Sequence, residues 1–153
     1  VKPYHRKSIL HDICELAPVM RYEDVREVRD VSGHTPEQAL LIGYLTGSHC
    51  RSIIDRYGGV VGMYGTVPVN KTSASVWMLG SKGLLKIARP FLKKSRSEVE
   101  EMNRVYPHLF NVIDSRNEVH LRWIRWCGFK ILGERMINNV KFYEFARIAS
   151  VNS

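Results

Sequence analysis

The chain has 153 residues, of which 44% are hydrophobic and 25% charged, and carries a formal net charge of +8 at pH 7. That length suits one domain, 1–153, with a core of its own. No apolar run reaches membrane-spanning length and residues 1–16 lack a signal-peptide core, which excludes a spanning or secreted reading.

The first half reads as helical. Residues 1–4 leave room for a short first strand. Over 8–17, Ile9, Ile13, Leu16 and Ala17 fall near one face, and Pro18 ends the helix. Over 22–31, Val25 and Val28 sit in a charged surround, a weakly amphipathic second helix. Thr35, Pro36 and Gln38 form an N-cap, first-turn proline and capping box for a third, running to about Thr46.

Strands follow. Gly58 and Gly59 separate 51–57 from 60–67 as a hairpin, and 74–79 is a third strand. After the connection 80–89, Pro90 opens the clearest amphipathic helix, with Phe91, Leu92, Ser95, Val99, Met102 and Tyr106 on one face. Pro107 stops it. The apolar run 109–113 suits a strand covered on both faces. A helix opened by Asn117 and closed by Gly128 comes next, then strands 130–136 and 140–148 joined by Asn138 and Asn139.

Cys14, Cys50 and Cys127 are odd in number, far apart and without metal-ligand spacing. They read as free thiols in a reducing, cytoplasmic setting, with no metal. The positive charge favours polyanions, either nucleic acid or a cofactor bearing phosphates.

The most specific pattern lies in 114–129. Asn117, His120, Ile124, Gly128 and Phe129 stand at the spacing of the last β–α unit of the GCN5-related N-acetyltransferases. The element order over nearly the whole chain also resembles this acetyl-CoA-dependent superfamily. The resemblance implies an α/β GNAT fold: a mixed central β-sheet with a splayed strand pair, helices on both faces and a C-terminal β-hairpin. Segments 20–25, 32–40, 77–80, 95–102 and 114–129 look most like a phage branch, acetyltransferase-like proteins related to an internal virion protein of short-tailed phages.

The same resemblance implies that acetyl-CoA enters between strands 74–79 and 109–113. Trp77, Met78, Leu79 and Gly80 would take the pantetheine and the acetyl carbonyl. Ser81, Lys82 and Gly83, helped by Lys86 and Arg89, would take the phosphates. Residues 84–89 are additional to the family's glycine loop, which implies weak CoA binding. Asn117 matches a cofactor-contacting residue and equally reads as a turn or N-cap asparagine. Ile124 stands where the family has a general-acid Tyr, and it has no proton to give. His120 is either its substitute in proton traffic or a hydrogen-bonded core histidine. Asp114 either orients or deprotonates an amine or caps its own turn.

The implied activity is acetyl transfer from acetyl-CoA to a primary amine, by direct attack of the neutral amine on the thioester. The acceptor and the oligomeric state are not legible. A rival reading is a non-enzymatic, virion-associated protein that binds phage particle components on the same scaffold. A third, resting on charge, is a basic accessory protein that binds nucleic acid weakly and nonspecifically.

Overall fold

The computed structural model describes residues 2–149, and the side chains of residues 88–91 lie outside that description. Strand β1 (Tyr4–Lys7) leads into helices α1 (Leu10–Leu16), α2 (Tyr22–Ser32) and α3 (Pro36–Thr46). Strands β2 (Arg51–Ile54), β3 (Val60–Pro68) and β4 (Ser73–Gly80) follow. A 3-10 helix (Lys82–Ile87) passes directly into α4 (Ala88–Val105), and then come β5 (His108–Asp114), α5 (Glu118–Trp126), β6 (Lys130–Ile137) and β7 (Val140–Ile148).

The strands form one seven-stranded mixed sheet in the order β1-β2-β3-β4-β5-β7-β6. Every neighbouring pair is antiparallel except β4 with β5, which run parallel. Alternation along β3 and β4 divides the core between the two faces. Met63 and Leu79 pack with Leu16 and Leu40 under α1–α3, while Tyr64 and Met78 pack with Val99, Met102, Trp123 and Ile124 under α4 and α5. Among the described residues no helix is long and apolar enough to cross a membrane.

Local chemistry accounts for the boundaries. The Thr35 hydroxyl accepts from the Gln38 amide and the Gln38 side chain accepts from the Thr35 amide, closing the expected capping box. Asn138 and Asn139 turn the last hairpin at φ 49° and 64°.

The first hairpin differs from expectation. β2 stops at Ile54, and its loop is wider than the two glycines, because Asp55 Oδ1 accepts from the amides of Tyr57 and Gly59 and pulls that stretch out of the ladder. The edge strand is Tyr4–Lys7, not residues 1–4, of which Val1 lies outside the described residues. The expected loop 80–89 is instead mostly 3-10 helix, anchored by Leu84 and Ile87, both buried. On α5, Ile124 is fully buried. Trp126 is 45% exposed, because its indole donates outward to the Leu92 carbonyl.

Candidate active site

β4 and β5 pair over only three residues, Ser73 with His108, Ala74 with Leu109 and Ser75 with Phe110, and then part. Beyond that point each strand has one edge of backbone groups without a neighbouring strand, and buried groups of this kind require partners. Side chains supply most of them. Asn111 bridges the start of the gap, donating to Val76 O (2.6 Å) while its Oδ1 accepts from Val112 N (2.8 Å). At the far end, α2 spans the opening. Asp24 Oδ2 accepts from Gly80 N (2.9 Å) on β4, and Glu27 Oε1 accepts from Asp114 N (2.5 Å) on β5. Residues three apart share a helix face, so one turn of α2 holds both strands. The Gly80 carbonyl accepts from Arg21 N at 2.8 Å.

Strand alternation turns the N–H and C=O of Met78 to the same edge as those of Val76 and Gly80. Among the described residues no hydrogen bond reaches Met78 from that side. Here the parted strands leave a cleft of about 360 Å³, whose walls include Glu27, Trp77, Met78, His120, Trp123 and Ile124. The indole Nε1 atoms of Trp77 and Trp123 are buried without a hydrogen-bond partner, as is His120 Nε2. Orphaned donors in a cleft wall fit a ligand rich in carbonyl oxygens.

A buried polar network closes one end of the cleft. Arg21 and Asp24 are 4% and 0% exposed and pair at 3.2 Å. Asn117, 0% exposed, donates to Asp24 Oδ1 (3.1 Å) and accepts from Arg21 (3.3 Å). His120 Nε2 lies 3.5 Å from Asp24 Oδ2. Burial holds the His120 imidazole below its ordinary pKa, outweighing the nearby Asp24, so the ring is neutral at pH 7.

Glu27 is displaced the other way. The residue is half-buried, and its carboxyl oxygen Oε1 is bonded to the Asp114 amide. Burial, reinforced by Asp24 and Asp114, raises its pKa from 4.5 to about 8. Asp114 is itself buried. Burial alone would raise it, but hydrogen bonds from the Arg116 side chain and backbone prevail and hold it below the usual carboxylate range.

Ligand atoms of Asp24, Glu27 and His120 lie within 4.8 Å of one another, close enough to surround a cation. The Arg21 guanidinium, 3.2 Å from Asp24 Oδ1, already sets a positive charge beside this group and opposes a second one. The set is better suited to moving protons than to holding a metal.

The residues singled out in the sequence thus fall into three groups. Trp77, Met78, Leu79 and His120 line the cleft, while Gly80, Asn117 and Asp114 meet α2 at its closed end. Lys82 and Lys86 are exposed on the 3-10 helix beyond β4. The Ser81 amide donates to Val61 O and the Gly83 amide to Ser81 Oγ, so these two N–H groups are internally bonded. The side chain of Arg89 lies outside the described residues. Arg21, Asp24, Glu27 and Asn111 escaped the sequence reading. Asp24 and Glu27, acids one turn apart, were the available signal, but in a helix with so many charges they look like a solvated face.

No family model matches the chain, and no curated protein sequence matches it. Solved structures do. Ard1 from Thermoplasma volcanium is similar at a TM-score of 0.68 and 15% identity, covering 98% of this chain and 99% of its own. A ribosomal-protein-S5-alanine acetyltransferase from Vibrio fischeri is similar at 0.68 and 12% identity, covering 100% of this chain and 96% of its own. The fold is the GNAT fold. A third GNAT structure, a phosphinothricin acetyltransferase from Sinorhizobium meliloti in complex with acetyl-CoA, is similar at 0.62 and 13% identity, covering 98% of this chain and 90% of its own. The GNAT fold accounts for the parted strand pair; the way α2 ties the two strands is written in this chain's own Arg21, Asp24 and Glu27.

Proposed function

We propose that this protein transfers an acetyl group from acetyl-CoA to a primary amine. One observation carries the reading: where β4 and β5 part, the Met78 N–H edge faces a cleft holding two titratable groups displaced in opposite directions, Glu27 upward and His120 downward. Opposed displacement is how one site keeps an acid protonated and a base neutral at the same pH.

Bound acetyl-CoA supplies a thioester carbonyl that an amine attacks, the C–N bond forming as C–S breaks. Met78 N–H takes the carbonyl oxygen as negative charge develops there. Neutral His120 accepts the proton shed by the amine nitrogen. Glu27, protonated at pH 7, returns one to the departing sulfur, the task for which Ile124 has no group. Trp77 and Leu79 flank the pantetheine arm, and Lys82 and Lys86, with Arg89, pair the phosphates.

The test is acetyl-CoA-dependent thiol release with a panel of amines, alongside thermal melting with and without acetyl-CoA. A ligand that binds only the folded cleft raises the midpoint by mass action. We expect a shift that shrinks with salt, because exposed lysines make much of the contact. A second reading rests on the closed end of the cleft. Gly80 N–H and Asn117, two groups the family resemblance gives to the cofactor, are both bonded to Asp24. That arrangement suits a GNAT scaffold reused without catalysis, as in assembly of a phage particle. No melting shift and no thiol release at millimolar acetyl-CoA in low salt would favour it.

A further inference from the structure

A second concavity lies away from the cleft and shares no lining residue with it. It is an open groove of about 960 Å³ between α4 and the β6–β7 end of the sheet. Four cations line it, Arg96, Arg104, Lys130 and Arg147, against one carboxylate, Glu100. We propose that this groove binds single-stranded nucleic acid, its cations tracking the phosphates and Trp126 stacking on a base.

Two of the four cations in the groove, Lys130 and Arg147, are without an ion pair among the described residues, and Arg96 reaches Glu100 only at 3.9 Å. Arg104 pairs with Glu101 on the exposed side of α4. Arg147 is held in place by a neutral partner: its guanidinium donates to Asn103 Oδ1 at 2.5 Å. Asn103 is 3% exposed and is itself fixed, donating to the carbonyls of Tyr106, Pro107 and Arg147. The Arg147 side chain also lies against Gly128, where an added Cβ would meet Nε at 3.0 Å. A guanidinium oriented in advance by an amide keeps its full charge for an incoming anion.

The aromatic element adjoins it. Trp126 is 45% exposed, its indole is locked by a 2.7 Å hydrogen bond to Leu92 O, and the Arg96 guanidinium lies 5.7 Å from the ring centroid. A fixed, half-exposed ring beside Arg96, next to a groove lined by cations on three elements, matches the pairing of stacking platform and basic track used for unpaired bases. A duplex presents no free base face, so the single strand is the favoured form. The groove's size and its several separated cations suit a run of phosphates better than a single small anion.

The experiment is fluorescence anisotropy of a labelled oligothymidylate of about 16 nucleotides, a span within the range such modules cover, with the full chain. Engagement of three or four phosphates should give a log–log salt slope of about −2 to −3. Lys130→Ala and Arg147→Gln should each reduce that slope by about 0.7. Trp126→Ala should weaken binding about 5- to 100-fold with the slope unchanged, and Trp126→Phe should restore most of it. Arg56→Ala, on the β2–β3 loop at the other edge of the sheet, should change nothing. Lys130 is exposed, so its variant keeps the test valid should Arg147→Gln fail to fold. Equal binding of polyglutamate or of duplex would overturn the proposal. So would unchanged binding in both Lys130→Ala and Trp126→Ala, or sedimentation showing the groove covered by a second copy of the chain.

Discussion

Glu27 is a carboxyl group that keeps its proton at pH 7, because it is turned into the protein beside Asp24 and Asp114. If it protonates the leaving sulfur, turnover should fall as pH rises through about 8, its displaced pKa. On the acid side turnover should fall as His120 takes up a proton, below its ordinary 6.5. Glu27→Gln should remove the alkaline limb and reduce kcat by about 10²–10⁴-fold, the usual contribution of general acid assistance. Ile124→Tyr tests the same step by restoring a phenol. Ile124 is 2% exposed, so added bulk opposes that gain by about 1–3 kcal/mol. The double variant Glu27→Gln, Ile124→Tyr separates the two effects: recovery of turnover over Glu27→Gln alone places the defect in proton supply. His120→Ala should lower turnover per folded molecule, and an unchanged rate would leave His120 a packing residue.

Among the elements, α2 does most to shape the site. Asp24 accepts from Arg21, Gly80 and Asn117, three partners on three separate segments. Asp24→Ala should cost about 3–5 kcal/mol in denaturant melts, since it removes the buried carboxylate from the Arg21 guanidinium and leaves it only the half-exposed Glu23 at 3.6 Å and the Asn117 amide oxygen. Helix α3 meets the cleft differently. A Cβ at Gly43 would lie 2.6 Å from the Trp77 ring. Alanine gains about 1 kcal/mol over glycine in helix propensity, yet overpacking a rigid indole costs about 1–3 kcal/mol. The steric cost wins, so Gly43→Ala should lower the melting midpoint and disturb the cleft wall at Trp77. These elements also show what the sequence could reveal. The helix spans, the Thr35 capping box, the Asn138–Asn139 turn and the order of strands were legible, because each rests on local periodicity or turn chemistry. The resemblance over 114–129 located the parted strands. The clamp was not legible: Asp24 and Gly80 are distant in sequence, and an acid on a charged helix carries no local sign of burial. Asn117 and Asp114 were singled out in the sequence, and both lie where α2 meets the closed end of the cleft. The contacts of Asn117, to Asp24 and Arg21, depend on how α2 lies across the sheet, whereas Asp114 accepts from the Arg116 amide two residues on, the turn-capping alternative.

For the molecule as a whole, buried titratable groups set how stability depends on pH. Glu27 has a folded pKa of about 8 against 4.5, so the folded state retains a proton the unfolded chain has lost, and stability falls as pH rises toward 8. His5, lowered by burial from 6.5 to about 4, and His120, also lowered, act in the opposite sense: their contribution is present above 6.5 and is lost as pH falls. The two trends meet near pH 6.5. Thermal melts across pH 5 to 9 should therefore peak in that region, and Glu27→Gln should flatten the alkaline side and steepen the rise on the acid side, because the Glu27 contribution runs from 4.5 to about 8.

The parting of β4 from β5 makes the sheet a book with a short spine. Its four-stranded and three-stranded leaves share only the pairs from Ser73–His108 to Ser75–Phe110, and one turn of α2 serves as the clasp. Gly80 and Asp114 sit on opposite leaves, yet their amides are held by acids on that one turn. Whenever the clasp lifts, both amides are released together. In hydrogen exchange, these two distant positions should therefore open with a common free energy, below that of global unfolding. Asp24→Ala should speed exchange at Asp114, a residue Asp24 does not bond. The width to which the leaves swing is then fixed by α2, and with it the size of anything that can pass between them.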